Sequence, residues 1–529
     1  MKNIVNIINF VRAIEPRPNR NIDMQEPMRE QIRLLRENGL RGTFLLQYDT
    51  LTDPAFDTLI EDAASFCEIG LWLEIVKPQV EAIGLEWKGR YPWDWYNDVG
   101  FLIGYEPEQR LRLIDVAMER FKERFGHYPE SVGSWHIDAV SLKYLDDKYK
   151  INAACICRDQ IGTDGYTMQG GYYNQAYYPS VNNMFCPAAT KEKQINIPVF
   201  RMLGSDPVLA YDYQLVNYGQ TQCPTLEPSQ LARFNDWTDW FFEAMFEQGH
   251  GLCFQYTQAG QENSFGWQRM KGGLEYQMPL IAKKADEGVI SVMTLGESGR
   301  WYKSRFDSTP AATVVGLGAW KHPHLSSVWY YCKRYRVNLF LDGKVARFRD
   351  AYIFDENYRE HYLDTRCDTH ACEFRNLPVM DGVIYSNAAE DILAGVYFTC
   401  GGERIEWDEM RYRELSESVA EVTLISADGC ARVMLSEGTI EISSDIDDFA
   451  LTPEYDRDRV YGRVNDGDEF ANSNNKKTAL SFIDRAVAEK DRIVFSINGF
   501  EYGVKVEEGK IGENFSINAS DGKIKLMPF

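Results

Sequence analysis

The stretch Ser131–Leu145, SVGSWHIDAVSLKYL, decides how this chain is read. Val132, Ser134, His136 and Asp138 alternate with Gly133, Trp135 and Ile137, the period of two of a strand. Leu142 and Leu145 then fall three apart, as on one face of a helix. An ionisable group at the carboxyl end of a strand, followed at once by a helix, is where α/β barrels keep their chemistry. The stretch therefore predicts a short strand, Asp138 at its end, and a helix over 139–148.

Working outward toward the N-terminus, strands and helices continue to alternate. Residues 3–11 are an apolar strand, and 24–38 a helix that Asp23 caps and Gly39 closes. Residues 43–47 form a second strand, and Asp53-Pro54 opens a second helix with an acid at the cap and Pro in the first turn. Residues 67–75, CEIGLWLEI, are a third strand. A loop over 76–105 leads to a helix from Pro107 to Phe125, closed by Gly126.

Toward the C-terminus come a buried strand at 151–157, a long loop over 158–194, and a sixth strand at 197–203. An apolar helix over 228–249, a seventh strand at 252–256, a helix over 267–287 and a short strand at 289–294 follow. Strands alternating with helices imply a parallel sheet, most simply closed into a barrel. After about residue 310 the period changes to two, with Asp342-Gly343, Asp428-Gly429 and Asp521-Gly522 as hairpin turns. The expected architecture is a distorted (β/α)7 TIM-like barrel over 1–308, then an antiparallel β-sandwich region over 309–529, in one or two subdomains. Residues 464–477 read as an exposed loop.

Composition narrows the function. A net charge of -22 argues against nucleic acid or an anionic membrane surface as partner, because a polyanion needs a basic patch. No stretch approaches the ~20 apolar residues of a membrane span. The N-terminal run is too short and polar for a signal peptide, and the 11 Cys follow no disulfide spacing. A cytoplasmic enzyme is the expectation. Aromatic clusters in loops, at residues 91–96 and 172–178, can stack on sugar rings while nearby polar groups bond the hydroxyls.

At Gly133-Ser134-Trp135-His136-Ile137-Asp138 the chain resembles the class II α-mannosidases (glycoside hydrolase family 38), whose Trp-x-Ile-Asp strand end carries a nucleophilic Asp. It is also similar there to the family 57 amylases and glucanotransferases, which carry Trp-x-x-Glu. Thr43-Phe44-Leu45, Glu68-Ile69-Gly70 and Ser291–Glu297 resemble segments of polysaccharide deacetylases, which share the barrel. The resemblance covers roughly residues 1–305 by pattern and implies a seven-stranded barrel followed by β-sandwich material. The metal ligands of these families have no match: no His follows Glu68-Ile69-Gly70, and the first strand ends Asn9-Phe10-Val11-Arg12. The resemblance therefore implies carboxylate chemistry without a metal or other cofactor.

Glycoside cleavage needs two carboxyl groups flanking one bond. By the resemblance, Asp138 is the nucleophile; as a residue it also suits a helix N-cap. Asp206, just past the sixth strand, looks like the family 57 acid/base, and also like a turn Asp before Pro207. Glu74, ending the third strand, is the rival, since desolvation would raise its pKa as a general acid requires. Glu262, after the seventh strand, is a third option. Arg12, Glu15 and Arg17 after the first strand, Gln47, Tyr48 and Asp49 after the second, Trp72 on the third, Trp135 and His136, Arg158, Asp159, Gln160 and Asp164 after the fifth, and Glu262 after the seventh are candidate substrate-binding groups. Cys367, His370 and Cys372 make an incomplete metal set. The expected function is a retaining, metal-independent glycoside hydrolase or transglycosidase acting on a soluble oligosaccharide or glycoside. The alternatives are a carbohydrate deacetylase-like enzyme and an inactive carbohydrate-binding barrel.

Overall fold

A computed structural model describes residues 2–15, 21–163, 166–212, 225–231, 234–374, 376–461 and 483–529. The expected positions Arg17 and Asp164, and the loop at 464–477, lie outside the described residues. Strand β1, Lys2–Val11, is the axis of the N-terminal half. Ile4, Val5, Ile7, Ile8, Phe10 and Val11 are all buried, because both faces of a parallel sheet are covered. One edge of β1 pairs with Phe254–Ala259 through Lys2–Ile7. Its other edge is shared: Ile4–Asn6 take Ser291–Met293, and Ile8–Val11 take β2, Thr43–Leu46. The parallel order then runs through β3 (Glu68–Trp72), β4 (Ser131–Gly133), β5 (Ala153–Ile156) and Val199–Arg201.

Among the described residues the sheet is not closed into the expected barrel. No ladder joins Val199–Arg201 to Phe254–Ala259. The reason lies in the segment expected to be a loop over 158–194. Its residues Ala176–Tyr177 pair antiparallel with Val199–Arg201 and occupy the edge that closure would need. Side-chain amides span the gap instead. Asn174 donates to the Tyr256 carbonyl at 3.0 Å, and Gln175 to the Phe254 carbonyl at 3.1 Å. Elsewhere in this segment Tyr166–Met168 pairs parallel with Cys372–Phe374 from the C-terminal region.

The helix signals act largely as read. Asp23 accepts from the backbone N–H groups of Gln25 and Glu26 at the start of Gln25–Glu37. Pro107–Phe125 opens on a Glu106/Gln109 capping box and ends at Gly126, whose φ of 79° is the left-handed cap that favours glycine. The strand expected through Asp138 stops at Gly133, however, and residues 76–105 hold short helices rather than loop alone.

From Ala312 the strands pair antiparallel, apart from Cys372–Phe374. A ten-stranded and an eight-stranded sheet enclose a second core, in which Phe398, Phe449 and Leu451 meet Trp407, Val422 and Val433. Asp521 and Gly522, with φ of 51° and 69°, turn the chain between Ser520 and Lys523 as a type I′ turn requires. Trp329, Tyr331 and Phe354 of this region join the core of the parallel sheet. Among the described residues no helix is long and apolar enough to cross a membrane.

Candidate functional site

Beyond the carboxyl ends of β1, β3 and Phe254–Ala259, three charged side chains meet. Arg12 follows β1 directly. Asn263 fixes its backbone by accepting from the Arg12 N–H at 2.9 Å and donating to the Arg12 carbonyl at 2.8 Å. Arg12 Nε donates to Glu74 Oε2 at 3.0 Å, and its Nη2 reaches the same oxygen. Its Nη1 lies 2.9 Å from Glu262 Oε2. Trp72 Nε1 adds a third donor to Glu74 Oε2 at 2.6 Å. Glu262 is carried over β1 by a turn at Gly260 (φ 93°), where a Cβ would lie 2.2 Å from the Ile8 carbonyl oxygen. One guanidinium therefore holds two carboxylates in a buried setting.

Burial sets the electrostatics. It pushes the Glu74 carboxyl up, with Arg12 opposing and Glu262 adding to the rise. Burial alone would lower Arg12, but Glu262 and Glu74 outweigh it and hold the guanidinium charged. Aromatic rings wall the cluster. The guanidinium lies 4.2 Å from the Trp93 ring centroid, and Trp72 stacks on Phe10 at 4.2 Å. Trp135 meets both Phe10 and Trp72 edge-on at 5.5 Å.

Glu227 joins this group, and sequence reading missed it. It follows no strand but precedes the short helix Pro228–Leu231, so strand-end reasoning passes it by. Gln261, next to Glu262, donates to Glu227 Oε1 at 3.1 Å, and Thr225 donates to its Oε2 at 3.1 Å. Burial lifts Glu227 above the ordinary carboxylate range; Glu262 nearby adds to the rise, while Arg158 opposes it. The adjacency of Gln261 and Glu262 in a carboxyl-end loop was the available signal.

The other candidates are placed as follows. Asp49 accepts from the backbone N–H groups of Ala13 (3.2 Å), Ile14 (3.1 Å) and Thr50 (2.6 Å), and so pins the loop after Arg12. Burial pushes it up to about 6. Gln47 donates to the Glu74 carbonyl at 3.4 Å. Glu15 is partly exposed beyond Arg12. Asp159 accepts from Arg201 at 2.7 Å and from Arg336 of the C-terminal region. Burial would raise Asp159, but those two guanidiniums outweigh it and hold it below the usual range.

Asp138 and Asp206 are taken up by the fold. Asp138 is fully buried and caps the helix Ala139–Tyr144, accepting from the Ser141 N–H at 3.1 Å and its hydroxyl at 2.7 Å. Its Oδ1 also faces buried Arg110 at 3.0 Å. Asp138, expected as the nucleophile, thus serves as a helix cap and counter-ion five residues past the end of its strand. Asp206 accepts from the Val208 and Leu209 N–H groups and from Trp237 Nε1 at 2.8 Å, a staple between turn and helix. His136 stacks on Phe101, and burial pushes it down to about 3, so it is neutral at neutral pH. Cys372 and Asn97 lie beside it, with Cys372 Sγ 3.0 Å from the Asn97 amide oxygen. His370 instead faces Asp98 at 3.0 Å, and Cys367 turns toward backbone carbonyls. The described residues contain no group of three His, Cys, Asp or Glu side chains arranged to hold a metal ion.

No family model and no curated protein matches the chain. Among solved structures it is similar to a glycoside hydrolase/deacetylase from Parabacteroides distasonis, at 15% identity and a TM-score of 0.49, over 73% of this chain and 91% of that one. A polysaccharide deacetylase from Mycobacterium smegmatis matches at 11% identity and a TM-score of 0.35, over 57% and 91%. A family 57 branching enzyme from Thermococcus kodakaraensis matches at 8% identity and a TM-score of 0.33, over 58% and 72%.

Proposed function

We propose that the chain is a carbohydrate-active hydrolase that cleaves a glycosidic bond with Glu227 and Glu262. The observation that carries this reading is the contrast between these neighbouring carboxyl groups. Glu262 is paired with the Arg12 cation, whereas Glu227 is pushed up by burial and by Glu262 itself. A carboxyl group pushed toward its protonated form, beside another that is paired with a cation, is the arrangement of an acid and a nucleophile or base. Glu74, with three donors on one oxygen and 1% exposure, holds Arg12 rather than meeting substrate. The aromatic walls Trp93 and Trp135 supply apolar faces of the kind a sugar ring stacks on.

In this reading protonated Glu227 gives its proton to the leaving oxygen as the glycosidic bond breaks, and the Glu262 carboxylate attacks the anomeric carbon. Ionised Glu227 then takes a proton from the water that hydrolyses the glycosyl ester, which restores both groups. Asp138, engaged as cap and counter-ion, has no part in these steps. The test is hydrolysis of a panel of oligosaccharides and aryl glycosides by the wild type, Glu262→Gln and Glu227→Gln. Glu262→Gln is expected to lose activity on all of them. Glu227→Gln is expected to lose roughly 10²–10⁴-fold on oligosaccharides and much less on aryl glycosides, whose leaving groups need little protonation. NMR of the first-formed anomer is expected to show retention. Full activity in both variants, or release of acetate without glycosidic cleavage, would overturn the assignment.

A further inference from the structure

We infer that the cavity in the gap between Val199–Arg201 and Phe254–Ala259 binds a sugar carrying an anionic group, with Arg158 as the cation that receives it. The sugar part rests on the hydrolase reading above; the anionic part rests on the cavity itself. The cavity measures about 590 Å³ including its open mouth, and its walls include Arg158, Tyr173, Asn174, Ser205, Tyr211 and Thr257.

Three polar atoms in these walls are buried without a hydrogen-bond partner: Thr257 Oγ1, Ser205 Oγ and Arg158 Nε. Thr257 is 1% exposed. Buried polar atoms are nearly always partnered, so three around one cavity mark where a ligand completes the set. Gly204 keeps the floor open, since a Cβ there would lie 2.6 Å from Thr257 Oγ1. Tyr173 is held in place by stacking on Trp329 at 3.7 Å.

Arg158 carries the charge argument. Arg12, Arg110, Arg201 and Arg336 each have a carboxylate oxygen within 4 Å. Among the described residues Arg158 has none. Asp159 also lines the cavity, but Arg201, Arg336 and the Gly170 N–H take up its oxygens. Among the described residues Arg158 makes no ion pair within 4 Å and acts on the Glu227 carboxyl only from farther off, so its guanidinium is placed to meet an anion, while Thr257 and Ser205 meet ring hydroxyls.

Isothermal calorimetry on the full chain, with D-glucuronate, glucose 6-phosphate and glucose as probes, tests this. Wild type is expected to bind an anionic probe at least about tenfold more tightly than glucose, and Arg158→Met to erase that advantage. A preference for glucuronate identifies a carboxylate ligand, and a preference for glucose 6-phosphate a phosphate. Thr257→Val, which keeps the shape and removes the hydroxyl, is expected to weaken all bound probes about 3–10-fold while leaving the anion preference intact. No heat with any probe, equal binding of all three, or an anion preference that survives Arg158→Met would overturn the inference. Binding is read without turnover, so it does not depend on cleavage by the chain. Loss of the hydrolase reading with retained binding would leave this site standing.

Discussion

Asp138→Asn separates the two tasks open to that residue. The substitution keeps the shape and one acceptor oxygen but removes the charge that faces Arg110. Arg110 would keep the Tyr105, Tyr362 and Thr365 carbonyls at 2.7–2.9 Å. Breaking a buried ion pair from one side costs about 3–5 kcal/mol, and those carbonyls place the expected loss near about 3 kcal/mol. A second carboxyl makes the loss depend on pH. Glu360 accepts from the Ala139 and Met184 N–H groups, and burial, with Asp138 alongside, pushes it up to about 8.

A raised carboxyl stabilises the fold fully below its unfolded value and loses that contribution as pH rises through about 8. The whole rise corresponds to at most about 5 kcal/mol, of which burial is the larger cause and Asp138 the second. Removing Asp138 lowers the Glu360 value and lets its carboxylate pair with Arg110 at high pH. The cost of Asp138→Asn is therefore expected to shrink by about 1–2 kcal/mol between about pH 5.5 and pH 9. Denaturant unfolding followed by Trp fluorescence, with Glu360→Gln and the double variant completing the cycle, measures it. A cost below about 1 kcal/mol at both pH values, together with a large loss of hydrolysis by a folded variant, would refute the reasoning and return Asp138 to the chemistry.

Two further outcomes follow from the same contacts. Arg12→Met strands Glu74 and Glu262 in a buried site; a loss of about 3–5 kcal/mol is expected in denaturant melts, with most of it regained when Glu74→Gln is added. Gln175→Leu removes the amide that bonds the Phe254 carbonyl, the Gln255 side chain and the Thr313 carbonyl. A loss of about 2–4 kcal/mol and faster hydrogen exchange along Phe254–Ala259 are expected, while unchanged exchange there would mean that the gap is held by other contacts.

Local order was written in the sequence because its causes are local. The apolar run of β1, the Asp23 cap, the Gly126 stop and the Asp521-Gly522 turn each act within a few residues. They led to elements close to those found, and the change of period near residue 310 marked the antiparallel region. Strand-end reasoning also placed Arg12, Glu74 and Glu262 where they could meet, since parallel strands bring their carboxyl ends to one face.

Tertiary structure decided what those residues share and which acids are taken by the fold. Closure of the sheet turned on Ala176–Tyr177, two residues in an apparent loop whose pairing with Val199–Arg201 spans some twenty residues and leaves no periodic trace. Asp138 and Asp206 each carried a local reading, as a cap and a turn, and the contacts with Ser141 and with Val208 and Leu209 match it. The sequence did not show Arg110, twenty-eight residues before the one, or Trp237, thirty-one residues after the other, which add the long-range partners. Glu227 gains its place through Gln261, on a distant loop. An acid's chemistry depends on its desolvation and its counter-charges, and both are supplied by residues that only folding brings near.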